Sequence, residues 1–255
     1  MKVTGARVVF LDSPAGKDAE FNRWYDLDHI PEFVALDGVI SGRRYVATPA
    51  CKELRRPTTI EGMKDGKGTY CTVYFFGDDD LPAVTAAQGI KGTEIRQQGR
   101  RFPDMDVVRV QDFALESVVV SKDLHLDPTA VPHLGHQSLL LGIGEMLDMS
   151  KRDAVGQWYD ETHHPDLLEI PEFLAILRFS SLAVDPGPPA GTHLLNLYYF
   201  EGPATVAYEA LRALMPSLRE RDRYLPGLEQ ARRLIYVSPY EVITPLDYGF
   251  LDAGS

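Results

Sequence analysis

The sequence predicts an α+β fold built from two βαββαβ halves, and three observations predict it. Sliding the chain by 134 residues lays EFNRWYDLDHIPEFVALDGVISGRRYVA (20–47) on AVGQWYDETHHPDLLEIPEFLAILRFSS (154–181) without a gap. Trp24 and Trp158, the chain's two tryptophans, fall in one column, with Tyr, Asp, His and Pro matched around them. Runs of β-branched and aromatic residues occur four times in each half, and helical spacing separates the first run from the second and the third from the fourth. Self-similarity of this kind is what duplication of a folding unit leaves behind.

Strands are expected at about 5–12, 38–47, 69–77 and 106–119, with counterparts near 136–145, 172–183, 192–200 and 231–243. In the first helix of each half, Phe21, Tyr25 and His29 form an i, i+4 row, as do Val155, Tyr159 and His163. Pro31 and Pro165 lack an amide donor and crowd the carbonyl four residues back, so a break or kink just after each histidine is expected. Further on, TVYFFGDDD (72–80) resembles NLYYFEGPA (196–204), and RQQGRRFP (96–103) resembles RERDRYLP (219–226). Ser150 and Asp153 read as a capping box. Ala207, Leu211, Leu214 and Leu218 mark one buried face of the last long helix. The halves are then residues 1–120 and 136–255, joined by a non-periodic linker at 121–135, with a turn cluster, DPGPPAG, at 185–191. The first half carries about ten extra residues within 48–70, a lid or a disordered excursion.

Composition narrows the function classes. With 26 basic and 37 acidic side chains the net charge is −11, which repels nucleic acid and anionic lipid. No apolar run approaches the roughly 18 residues of a membrane span, so a cytoplasmic protein is expected. Cys51 and Cys71 have no metal-ligand spacing, and His133 and His136 could share a metal only on a helix that Pro132 and Gly135 disfavour. No metal is expected. HExxH, CxxC, GxSxG, P-loop and dinucleotide patterns are absent from the sequence.

The candidate chemistry lies in the repeated motif. His29 and His163 sit at the edge of the helix–sheet interface, where a neutral imidazole can accept a proton. The partial positive charge of a helix starting at each proline would keep the ring neutral. Asp26 and Asp160, three residues earlier, are within reach of a ring nitrogen and could orient it. Trp24 and Trp158, with Tyr25 and Tyr159, would wall a substrate, although packing alone accounts for them more readily. Arg44 and Arg178, matched on the second strand of each half, could clamp a carboxylate or carbonyl, or else pair with Asp26 or Glu32. Tyr74 and Tyr198, matched on the third strand, could donate to an oxyanion or simply pack. Arg96, Arg100, Arg219 and Arg223 end helices, where cations are favourable, and are read as structural.

Helix-borne WYDxxHxP followed by an apolar run and a strand such as GVISGRRYVA resembles the EthD-like branch of the dimeric α+β-barrel superfamily. That resemblance covers both halves and implies two tandem ferredoxin-like βαββαβ repeats pairing their sheets into an intramolecular barrel, with pockets between sheet and helices. It assigns His29 and His163 to the family's motif histidine and Asp26 and Asp160 to its acidic neighbour. His164, Asp166 and Thr162 stand where the first copy has Ile30, Glu32 and Asp28, so the two pockets need not be equally active. The function expected is a cofactor-independent lyase or isomerase in which histidine shuttles a proton on a small apolar carbonyl or phenolic metabolite. The alternatives are a cofactor-free monooxygenase, a haem enzyme and a non-catalytic small-ligand barrel. A small molecule is the expected partner, with a homodimer of the tandem chain possible.

Overall fold

The computed structural model of the chain describes residues 2–183 and 188–254; residues 185–187 of the expected turn cluster lie outside these. Its elements run β1 (Gly5–Asp12), α1 (Asp18–Trp24), a π-turn (Tyr25–His29), α2 (Ile30–Val34), β2 (Val39–Val46), α3 (Pro49–Leu54), β3 (Tyr70–Phe76), α4 (Leu81–Gln97) and β4 (Asp106–Val120). After a 3-10 turn at Pro128–His133 come β5 (Ser138–Met146), α5 (Arg152–Trp158), a second π-turn (Tyr159–His163) and α6 (His164–Leu167). Then follow β6 (Phe173–Ser181), β7 (His193–Phe200), α7 (Ala204–Glu220), α8 (Leu228–Ala231) and β8 (Arg232–Val242). All eight strands expected from the sequence form, within two residues at each end.

The strands close one antiparallel barrel in the order β1-β3-β2-β8-β5-β7-β6-β4. Residues before and after the linker each contribute four neighbouring strands, and two seams join them. At one seam β4 pairs with β6 from Phe113↔Ser181 to Val120↔Ala175. At the other, β2 meets β8 only through Tyr45↔Val242 and Val46↔Glu241. The stretch after α3 bridges the gap, with the Arg56 amide donating to the Val237 carbonyl at 3.0 Å and the Thr58 hydroxyl to that of Ile235 at 2.7 Å. Ile60 and Met63 from the same stretch are buried against the barrel core. The insertion is therefore ordered, because it satisfies backbone acceptors that so short a seam leaves open.

Alternation along each strand divides the core in two. Val8, Phe10, Tyr45, Leu139, Leu177 and Tyr199 fill the barrel interior. Their neighbours face outward beneath the helices: Val9, Tyr74 and Phe76 in the first half, and Leu140, Ile176 and Tyr198 in the second. Burial on both faces explains why β3 and β7 read as nearly unbroken apolar runs.

Two local expectations need correcting. The helix does not break at Pro31 or Pro165. It widens, with the Ile30 amide donating to the Tyr25 carbonyl and the His164 amide to that of Tyr159, an i→i+5 pattern. Widening moves the carbonyls that would clash with the proline ring, so the chain stays helical and no fresh helix terminus faces either histidine. Nor does Ser150 cap α5: its amide and hydroxyl both donate to Asp148, which caps a 3-10 turn at Met149–Lys151. The buried face of α7 is as expected, with Ala207 and Leu218 inaccessible and Leu211 and Leu214 packed on the same cluster.

Candidate active site

The two motif histidines occupy different surroundings. The His29 ring lies among Trp24, Tyr25 and Phe33, with centroids 4.9, 4.5 and 4.3 Å away, and its Nδ1 is buried without a hydrogen-bond partner. The Phe33 ring also sits 5.6 Å from that of Tyr74, so aromatic side chains fill the space beside the histidine. At the equivalent place in the second half stands the smaller Leu167. There His163 stacks on Trp158, centroids 4.6 Å apart and planes 19° from parallel, and lines a cavity of about 820 Å³ between the sheet and α5, α7 and α8. A second depression, along residues 101–106, touches none of the expected site residues.

Burial holds both imidazoles at a pKa of about 3, helped at His29 by the Arg44 charge and at His163 by that of Arg232. Both rings are neutral as expected, but desolvation and a guanidinium cause it and not a helix end. Among the described residues nothing hydrogen-bonds either nitrogen of His163. Behind it, the His164 ring is fully buried, neutral for the same reason and without a partner on either nitrogen.

The aspartates do not orient these histidines. Asp26 pairs with Arg44 at 2.7 Å and accepts from the Tyr248 hydroxyl at 2.7 Å and the Leu246 amide at 3.1 Å. Asp160 takes Arg178 at two points, 3.0 and 2.7 Å, and the Ser117 hydroxyl at 2.6 Å. Arg178 also binds Glu116. A guanidinium on the neighbouring strand offers charge-assisted bonds, one to Asp26 and two to Asp160, where a neutral ring offers a weak one, and that decides the partner. Arg44 and Arg178 are thereby committed to the fold as ion-pair partners. Gly156 leaves room for this pair: a Cβ there would sit 3.4 Å from the Arg178 guanidinium.

Tyr159 and Tyr198 line the cavity with Trp158, whose ring nitrogen donates to the Arg223 carbonyl at 2.9 Å. Trp24 makes the matching bond to Arg100 at 2.8 Å, while Tyr25 donates nothing to a pocket and accepts from Thr72 at 3.2 Å. Tyr74 is buried with an unpartnered hydroxyl. Of the expected site residues, then, Trp158, Tyr159, His163 and Tyr198 converge on a cavity, and Trp24, Tyr25, His29 and Tyr74 form a packed cluster.

Sequence reasoning missed the arginines. Arg55, Arg56, Arg212, Arg219, Arg232 and Arg233 all line the cavity, from the insertion, α7 and the start of β8. Arg219, read as helix-terminal, lies 5.2 Å over the Tyr224 ring. Two of these positions carry a visible signal, since Arg212 and Arg219 are two helical turns apart on one face; the rest come from segments that meet only in three dimensions.

No protein-family model matches this sequence, and no curated protein matches it. Solved structures do match over nearly the whole chain. A dyp-type peroxidase protein from Shewanella oneidensis superimposes with a TM-score of 0.61 at 9% identity, covering 100% of this chain and 96% of its own. A haem complex of Rhodococcus jostii DypB gives 0.56 at 11% identity, covering 96% and 94%. An anthrone oxidase-like protein gives 0.54 at 12% identity, covering 96% and 92%. The chain therefore shares the α+β fold of these structures. Against these structures the expectation of a lyase or isomerase without a cofactor does not stand: the similar proteins are described as oxidising enzymes, and one of them carries haem.

Proposed function

We propose that the protein is an oxidoreductase whose reaction chamber is the second-half cavity. The observation that carries this reading is His163, a neutral imidazole without a protein hydrogen bond on the wall of a cavity of about 820 Å³. Pockets for cofactors and drug-sized ligands span roughly 300–1,000 Å³, so the space is sufficient. The residues fit a haem. His163 would hold its iron, and the unprotonated ring that ligation requires is the form burial enforces here. When bound, haem would supply the one-electron and oxygen or peroxide chemistry that no side chain provides.

The chain's own residues would bind and orient. Trp158, anchored through its ring nitrogen, holds the His163 plane by stacking, and Arg232 keeps protons off the ring. Tyr159 and Tyr198 supply flat apolar wall. Following the resemblance, we read residues 1–120 and 136–255 as duplicated copies of one unit joined by 121–135, with the first specialised as scaffold and as donor of one cavity wall.

Titration of the purified protein with haemin, followed by absorbance, tests the assignment. A Soret band that saturates at one haem per chain, lost in His163→Ala and kept in His29→Ala, is expected. No band, or a band indifferent to His163→Ala, overturns it. A monooxygenase acting on a phenolic substrate in the same cavity is the second reading, favoured by the tyrosine and tryptophan walls; oxygen uptake with a phenol and no Soret band would select it.

A further inference from the structure

We propose that this cavity recognises an anion, and that its occupant is a flat aromatic or polycyclic body bearing a carboxylate. In a chain with net charge −11, six arginines and only two glutamates line the cavity. Arg233 is held by Glu145, and Arg55 donates to Ser238 and to the Lys67 and Gly68 carbonyls. Among the described residues, Arg56, Arg212, Arg219 and Arg232 pair with no carboxylate. Arg232 lies 5.2 Å over the Tyr159 ring, and its Nε is buried with no hydrogen-bond partner.

Three segments bring these four arginines to one cavity: the insertion, α7 and β8. Mutual repulsion makes such an arrangement unfavourable while it is empty, and an anion relieves it. A carboxylate matches the guanidinium fork with two parallel bonds, so the charged end of the ligand is held at the rim. The other end meets Trp158, Tyr159, Tyr198, Tyr208 and Tyr224 with Leu211 and Met215, a surface for stacking a flat apolar body. Among the described residues no such set surrounds His29, where Arg100 is spent on Asp28 and Glu32 and Arg44 on Asp26. The proposal shares with the oxidoreductase reading only the location of the site. Two sources have this chemistry, the carboxylates of a haem and the carboxylate of a substrate.

Binding of 2-naphthoate and of its neutral isostere 2-naphthamide to haem-free protein, measured by calorimetry, tests it. Naphthoate should bind about tenfold more tightly, and Arg212→Gln and Arg232→Gln should each remove most of that preference while leaving naphthamide affinity unchanged. Arg212 is exposed, so its variant keeps the test open if Arg232→Gln misfolds. Equal affinities for the two probes, or a naphthoate affinity untouched by both variants, overturn the proposal. Repeating the measurement on haem-saturated protein separates the sources: naphthoate excluded assigns the arginines to haem carboxylates, and naphthoate retained assigns them to a substrate. Arginine-dependent naphthoate binding without any Soret band leaves this proposal standing and removes the haem reading.

Discussion

At the scale of single residues, the choice of partner decides what each charged group can do. Arg44 and Asp26 have side chains only 5% and 4% exposed, so the pair sits in surroundings where an uncompensated charge is costly. Arg44→Met removes one charge and leaves Asp26 with only the Tyr248 hydroxyl and the Leu246 amide. Urea denaturation should show a loss of about 3 kcal/mol, in the range for breaking a buried pair, and a loss under 1 kcal/mol would mean that water reaches Asp26. The same ion pairing explains why the two aspartates, correctly aligned with each other in the sequence, are misread as histidine partners: spacing puts Asp26 and His29 within reach, but it is silent about a guanidinium arriving from the next strand.

At the scale of elements, the π-turn is the device that places His163. Residues Tyr159–His163 spend an extra residue in one turn, with the His164 amide on the Tyr159 carbonyl, and Pro165 forestalls a return to α-helical bonding. Pro165→Ala restores an amide donor and lets the turn tighten. Since proline inside a helix costs up to about 3 kcal/mol relative to alanine, thermal stability should rise. Haemin and naphthoate affinity should fall in the same variant because the imidazole and its stacked Trp158 turn away. Unchanged ligand affinity alongside higher stability would show that the π-turn is a relic of packing. The insertion is the other decisive element, since its residues from Glu53 to Pro57 build a wall of the cavity that belongs to the opposite half. Length and glycine content made the segment recognisable as an excursion, whereas its docking against β8 depends on acceptors 177 to 181 residues away in sequence.

At the scale of the whole molecule, burial of neutral histidines couples stability to pH. His29 and His163 titrate at about 3 and His136 at about 4, all below the 6.5 of an exposed ring, and His164 is lowered as well. Below pH 6.5 the unfolded chain takes up protons that the native rings refuse, so acid favours unfolding. Stability should therefore decline as pH falls from about 7 to about 4, each ring contributing at most about 1.4 kcal/mol per pH unit. Melting temperatures across that range check the sign; a flat profile would mean that the rings protonate in the folded state. The barrel also shows how much of this architecture local pattern encodes. Strand alternation, the matched helix rows and the turn residues specify eight strands and their order along the chain, because each is a property of neighbours in sequence.

Sequence by itself determined the α+β class, the element order and the matched histidine–proline motifs, whereas the neutrality of the two rings comes from tertiary burial and a neighbouring guanidinium. Tertiary structure alone decided which histidine meets a void: His163 lines the cavity, while His29 is packed among Trp24, Tyr25 and Phe33. It decided the charge of the cavity as well. Arginines from the insertion, α7 and β8 become one site only when the barrel closes, and a pattern read along the chain carries no information on contacts made by closure.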